Sequence, residues 1–254
     1  MVNVSLPDSG LQILKPFEFT NAGRRMPVPL GARRLLAFLA LQNDWVDRTS
    51  TAEHLWPACT PFRAAANLRS ALCQSRRAAT YTVIDSSDQR LKLAPSVRVD
   101  FHEMREAARR TIEGPVPRTE DWNRLVGDLS RELLPGWTED WLDLERQWWD
   151  QLRLYALESL AQQLRNDHQY LDALQAALAA IAVDPFRETP HRTAMEIHIA
   201  EGNIASAIKR YHDYRAFLQR ELGVTPSRQM TDLLHAVLEK RLVGGAAHID
   251  GVGR

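Results

Sequence analysis

This chain of 254 residues holds little sulfur and little lysine: two cysteines, and four Lys among its 32 basic side chains. Cys59 and Cys73 fit neither a CxxC spacing nor a Cys/His ligand pattern. That argues against a disulfide framework and against a structural zinc site. No apolar run approaches membrane-spanning length, and the opening MVNVSLPDSG lacks the basic-then-apolar pattern of a signal peptide. No membrane partner is expected, and the expected location is the cytoplasm. There is no nucleophile–base motif. His168, His191, His198, His212 and His235 include no pair four residues apart. An enzyme, a metal site and a cofactor are therefore not expected.

One more absence carries information. The stretch Pro61–Ala79, PFRAAANLRSALCQSRRAA, contains no acid. On a helical wheel of about 100° per residue, Ala64, Ala65, Leu68, Ala71, Leu72, Ser75 and Ala79 share one small, apolar face. Arg63, Asn67, Ser70, Gln74 and Arg77 form the opposite stripe, flanked by Arg69 and Arg76. These are side chains that pair with phosphates and base edges. The charge of the whole chain is zero but unevenly spread: residues 1–98 hold 13 Lys and Arg against 7 Asp and Glu, and the other 156 hold 19 against 25. A basic end that binds a polyanion, joined to an acidic body, fits this split.

Around that helix the first hundred residues read as a small mixed domain. Leu11–Phe19 alternates like a half-buried strand, Asn21–Gly23 is a turn, and Met26–Leu30 suits an edge strand despite Pro27 and Pro29. Ala32–Gln42 is a helix with Leu35, Leu36, Phe38 and Leu39 facing inward. Ser50–Glu53 fits a capping box for a short second helix, with Leu55 and Trp56 inward and Pro57 as its stop. Tyr81–Asp85 and Arg90–Leu93 alternate as two strands around the turn Ser86–Gln89. Strands, helix, short helix, basic helix, hairpin: the order is that of a winged helix-turn-helix with an extra N-terminal sheet. The third helix of such a module enters the major groove. The hairpin is then expected to reach a neighbouring groove or phosphates with Arg90 and Lys92, and Thr49 and Ser50 open a helix N-terminus that favours a phosphate.

Val97–Asp100 reads as a junction, with Asp100 and Glu103 starting a helix through Arg110, and Glu113–Thr119 as a break. Beyond lies a helical repeat. A shift of 34 residues superposes Leu160 on Ala194, Ala161 on Met195, Tyr170 on Ile204, Ala173 on Ala207, Leu174 on Ile208 and Ala177 on Tyr211. That period, with small residues at close helix contacts, resembles the tetratricopeptide repeat. Helices near Glu139–Arg165 and Ser227–Arg241 would cap the stack. Trp137, Trp141, Trp148 and Trp149 gather at one helix start and are expected to pack on the neighbouring domain. The fold class read here is mainly α, in three spans: 1–98 the winged helix-turn-helix, 99–242 the helical repeat domain, and 243–254 a loose Gly-rich tail.

Three stretches carry a family resemblance: LLPGWTEDWLDLER (Leu133–Arg146), DPFRETPHRTAM (Asp184–Met195) and AEGNIASAIKRYHDYRAFLQRELGVTP (Ala200–Pro226). With VDRTSTAEHLWP and ANLRSALCQSRRA before them, the chain resembles the SARP group (Streptomyces antibiotic regulatory proteins) of actinobacterial transcriptional activators. These join a winged helix to a bacterial transcriptional activator domain. The likeness covers residues 11–240. It departs at Cys73–Arg76 and at Asp88–Arg90, where the family carries other residues, and both changes bear on base preference. No GxxxxGK[ST] sequence is present, as in the small stand-alone members.

The resemblance implies binding to tandem direct repeats in promoter DNA, a homodimer on that DNA, and recruitment of RNA polymerase. It also implies control of a secondary-metabolite (antibiotic) gene cluster. Base-edge reading falls to Asn67, Arg69, Ser70 and Gln74. Phosphate contacts fall to Arg63, Arg76, Arg77, Arg90 and Lys92, besides Thr49 and Ser50. Pro57, Pro61 and Phe62 occupy the connection through which similar winged helices touch polymerase. Two other readings keep the fold: a repressor, or a protein-interaction adaptor whose winged helix has lost DNA.

Overall fold

The computed structural model describes residues 9–42, 44–78, 82–115 and 121–246. Its first strands are short because the chain turns early. Ser9–Gln12 (β1) and Glu18–Asn21 (β2) pair antiparallel, with buried Leu11 opposite buried Phe19. The single strand read over Leu11–Phe19 is interrupted. The backbone N–H groups of Ile13 and Leu14 donate to the Asp100 carboxylate at 2.8 and 3.2 Å, which takes them out of the ladder. Gly10 permits the close approach of β2, since a Cβ there would lie 2.7 Å from Thr20 Oγ1. Ala22 and Gly23, both at positive φ, make the tight turn into Arg24–Met26 (β3).

Leu30–Leu41 (α1) follows, two residues ahead of the sequence reading, so Leu30 opens a helix and does not end a strand. Leu35, Leu36 and Leu39 are fully buried, each stabilising the fold by roughly 1.5–3 kcal/mol. Val46–Asp47 (β4) leads into Arg48–Leu55 (α2), and Pro61–Arg77 (α3) comes next. Ile84–Ser87 (β5) and Arg90–Leu93 (β6) form the hairpin, with sheet order β4-β6-β5. Val97–Val99 (β7) joins the other sheet parallel to β1, giving β3-β2-β1-β7. Ala79, Tyr81 and residues 116–120, where the sequence reading placed a helix end, a strand start and a break, lie outside the described residues.

The chain divides into two units: Met1–Ala107 with Arg131–Gln151, and Ala108–Ser130 with Leu152–Arg254. Asp100–Glu113 (α4) and Leu142–Asn166 (α6) each contribute to both. Residues 99–107 and 131–151 thus belong with the winged helix, whereas the sequence reading begins the second domain at residue 99. Aromatic packing inside the first unit accounts for this. Trp137 meets Phe17 at 5.8 Å between centroids, Trp141 meets Phe38 edge-on at 5.6 Å, and Trp149 meets Phe101 edge-on at 5.4 Å. Trp148 does not join them and is 67% exposed. Leu134 N–H donates to Ile13 C=O at 2.7 Å, and the Arg146 guanidinium holds the carbonyls of Leu133, Leu134 and Trp137.

The second unit is helical: Trp122–Leu129 (α5), the later part of α6, Tyr170–Val183 (α7), Glu188–Ala200 (α8), Ile204–Leu222 (α9) and Arg228–Ala246 (α10). Leu160, Ala161, Ala173 and Ala177, and their 34-residue partners Ala194, Met195, Ala207 and Tyr211, are all buried. The interhelix turns keep the same period, with positive φ at His168 and at Gly202. Helix α10 runs to Ala246, into the span read as a tail, and residues 247–254 lie outside the described residues. Among the described residues no helix is long and apolar enough to cross a membrane.

Candidate nucleic-acid interface

Helix α3 is begun by Pro61, whose fixed φ suits the first helical position and whose missing N–H leaves nothing unsatisfied there. Its inward face is Ala64, Leu68, Ala71, Leu72 and Ser75, the last donating its hydroxyl to Ala71 C=O at 2.9 Å. Small residues on that face let α1 and α2 approach closely. On the outer side Arg63, Arg69, Ser70, Cys73, Arg76 and Arg77 are exposed. None of the four arginines has an acidic partner among the described residues. Four guanidinium groups in solvent therefore face outward from one helix.

Asn67 and Gln74 stand differently from the fully outward pose read from the wheel. Both are half-buried. Asn67 Nδ2 donates to Cys59 Sγ at 3.7 Å, and Gln74 Nε2 to Ser70 Oγ at 3.5 Å. A thiol sulfur is a weak acceptor, so this bond orients the Asn67 amide in the free protein without withholding it from a base edge.

The start of α2 corrects the sequence reading. The cap is Asp47 and not Ser50: the Ser50 N–H donates to Asp47 Oδ1 at 2.9 Å, and Thr51 Oγ1 donates to Asp47 C=O at 2.6 Å. The Ser50 N–H holds the Asp47 carboxyl below its usual range, so the group is ionised at neutral pH. Thr49 and Ser50 are exposed, but a carboxylate already occupies the helix N-terminus beside them.

Strand β4 ties this helix to the hairpin, with Val46 opposite Leu91 and Asp47 opposite Arg90. Arg48, unremarked in the sequence, donates its backbone N–H to Gln89 C=O at 2.8 Å and its guanidinium to Ser86 Oγ at 3.2 Å. Its signal was sequence-silent, because both partners lie across a long-range pairing. Arg90 is exposed, whereas half-buried Lys92 has Asp44 at 3.8 Å. A groove of about 180 Å³ runs between α2, α3 and the hairpin, lined among others by Arg48, Thr49, Glu53, Arg69 and Gln89. Pro57, Pro61 and Phe62 are exposed in and after the turn between α2 and α3, Phe62 to 81%.

Of the histidines of the second unit, His168, His212 and His235 are exposed and His191 is buried in packing. His191 stacks on Tyr214 with centroids 4.0 Å apart, and burial pushes its pKa down to about 4. Among the described residues no three His, Cys, Asp or Glu side chains converge as a metal site would need.

Comparison with known proteins adds three findings. Residues 123–238 match the family model described as the bacterial transcriptional activator domain. The chain is 22% identical over 257 residues to the transcriptional regulatory protein MoaR1 of Mycobacterium tuberculosis, covering 90% of this chain and 78% of that protein. It shares a fold with the structure of Mycobacterium tuberculosis EmbR in complex with a low affinity phosphopeptide, at a TM-score of 0.64 and 18% identity. That match covers 92% of this chain, which spans 65% of the length of the EmbR chain.

Proposed function

We propose that the chain is a transcriptional regulator of the SARP type and a sequence-specific DNA-binding activator, a reading supported by its match to the bacterial transcriptional activator domain and its likeness to MoaR1. In this reading α3 lies in the major groove. Arg69, Ser70, Asn67 and Gln74 read base edges, through guanidinium-to-guanine and amide-to-adenine pairing. Arg63, Arg76, Arg77, Arg90 and Lys92 hold phosphates, with the Thr49 and Ser50 hydroxyls beside them, and supply affinity that falls with salt. One observation carries the reading: the outer face of α3 bears four exposed arginines and no acid.

Three finer assignments go with it. The chain binds tandem direct repeats near promoters as a homodimer, and the exposed Pro57, Pro61 and Phe62 contact RNA polymerase. The regulated genes form a secondary-metabolite cluster. Selection of genomic fragments by the purified protein at physiological salt tests the first step. Retained fragments that share a short repeated motif, and that support transcription in vitro when the protein is added, support the proposal. Lowered transcription from a bound promoter supports a repressor instead. Asp47 at the α2 terminus and the Lys92–Asp44 pair both lessen the positive field, and they favour the adaptor reading if well-folded protein retains no fragment.

A further inference from the structure

Behind α3, side chains from separate segments of the first unit meet in one contact chain. Glu139, in the stretch 131–151, accepts from Arg34 Nη2 of α1 at 2.5 Å and from Trp141 Nε1 at 3.2 Å. The Arg34 guanidinium carbon lies 5.8 Å from the ring centroid of Trp56, the residue that ends α2. Trp56 sits between helices: a Cβ on Gly31 of α1 would stand 3.9 Å from Trp56 Cζ2 and 4.0 Å from the Ala71 Cβ of α3. The Trp56 carbonyl accepts from the Cys59 N–H at 3.0 Å, and Cys59 Sγ in turn accepts from Asn67 Nδ2 at 3.7 Å.

The Arg34–Glu139 pair is not an ordinary surface contact. The two side chains are 20% and 22% exposed, and among the described residues Arg34 Nε is buried without a partner. With two of its sides committed to Glu139 and to the indole face, the guanidinium has little access to water. Removing the carboxylate leaves a desolvated cation, which must turn outward to regain hydration and leaves Trp56 as it does so.

We propose that Glu139 is a positioning residue of the DNA-reading surface: by holding Arg34 against Trp56 it sets the turn between α2 and α3, and through Cys59 the Asn67 amide. This rests on the reading of α3 as the DNA-contacting helix. It makes part of the stretch Leu133–Arg146, outside the winged helix in sequence, a working component of it.

The test uses the full chain carrying Cys73→Ser, in which Cys59 is the single thiol. The rate at which an aromatic disulfide reagent modifies Cys59 reports the turn without any DNA. Glu139→Gln raises that rate by about threefold or more, the scale of coupling between residues in contact. Arg34→Met raises it alike, and the double variant reacts no faster than the faster single one. Glu103→Gln, which breaks the exposed pair with Arg98, leaves the rate unchanged. An unchanged rate in Glu139→Gln, or effects that multiply in the double variant, overturns the proposal. If Glu139→Gln does not fold, Arg34→Lys keeps the charge but loses the planar group over Trp56. The same rise then supports the proposal, and an unchanged rate overturns it.

Titration of a selected DNA site completes the test. Glu139→Gln reduces discrimination between that site and a scrambled one, and Asn67→Ala in the same chain removes little more. Additive losses overturn the link to Asn67. A wild-type chain that binds no sequence selectively overturns the reading of α3, while the thiol rates still decide whether Glu139 sets the turn.

Discussion

The carboxylate of Asp47 accepts the backbone N–H of Ser50 at 2.9 Å, so the N-terminus of α2 carries a fixed negative charge beside the proposed DNA surface. The helix gains a cap and the interface gains a repulsion toward phosphate. Asp47→Asn keeps an equally good capping side chain and removes the charge. It should tighten binding to specific and scrambled duplex alike, with little change in melting temperature. Asp47→Ala should lower the melting temperature through loss of the cap. Titration of both duplexes with each variant, beside thermal melts, checks the two effects separately.

Arg77 is exposed near the C-terminal end of α3, where a guanidinium meets the DNA backbone more readily than a base. Arg77→Ala should weaken all duplexes similarly and reduce the salt slope of the binding constant by about one. Affinity measured across a salt series gives the slope directly. A loss confined to one base pair would move Arg77 among the residues that read sequence.

Buried against Tyr214, His191 has a pKa of about 4, because burial disfavours the cation. The unfolded chain takes up a proton near pH 6.5, whereas the folded one does so only near pH 4. Stability is therefore lost as pH falls through that window, by roughly 3 kcal/mol in all, and is level above it. His191→Phe keeps a ring on Tyr214 and removes the titration. Urea unfolding between pH 4 and pH 7 should show the slope in the wild type and a flatter profile in the variant.

Gly202 turns the chain from α8 into α9 at φ 80°, in the left-handed region. Gly202→Ala should destabilise the second unit by about 1–2 kcal/mol. Chemical denaturation followed by helical circular dichroism measures it. The corresponding turn of the preceding repeat uses His168, whose Nδ1 lies 2.9 Å from the Tyr170 hydroxyl. A side chain is kept there by a local bond that glycine cannot make.

The inward face of α3 was legible in the sequence because Ala64, Leu68, Ala71, Leu72 and Ser75 recur at helical spacing, which is a local property. The repeat was legible because Leu160 and Ala161 occupy the same packing positions as Ala194 and Met195. Both Asp47 and Ser50 satisfy a local capping pattern, so the sequence alone does not place the α2 cap. The pairing of Val46 with Leu91, far along the chain, decides between them. The same reason hid the Asp100 carboxylate under Ile13 and Leu14, and Glu139 beside Arg34: their partners lie 87, 86 and 105 residues away. A helical wheel gave Asn67 its direction but not its neighbour Cys59, which comes from the turn before the helix.

The central claim is that the outer face of α3 reads DNA sequence, and Arg69 tests it most directly. A selected site is titrated with wild type and with Arg69→Ala, and each base pair of the site is then substituted in turn. The account predicts that Arg69→Ala costs about 1–3 kcal/mol on the best site and becomes indifferent to one guanine that the wild type requires. The same prediction holds for Asn67→Ala at an adenine. An Arg69→Ala protein that loses affinity equally for selected and scrambled DNA, or loses none, would contradict it.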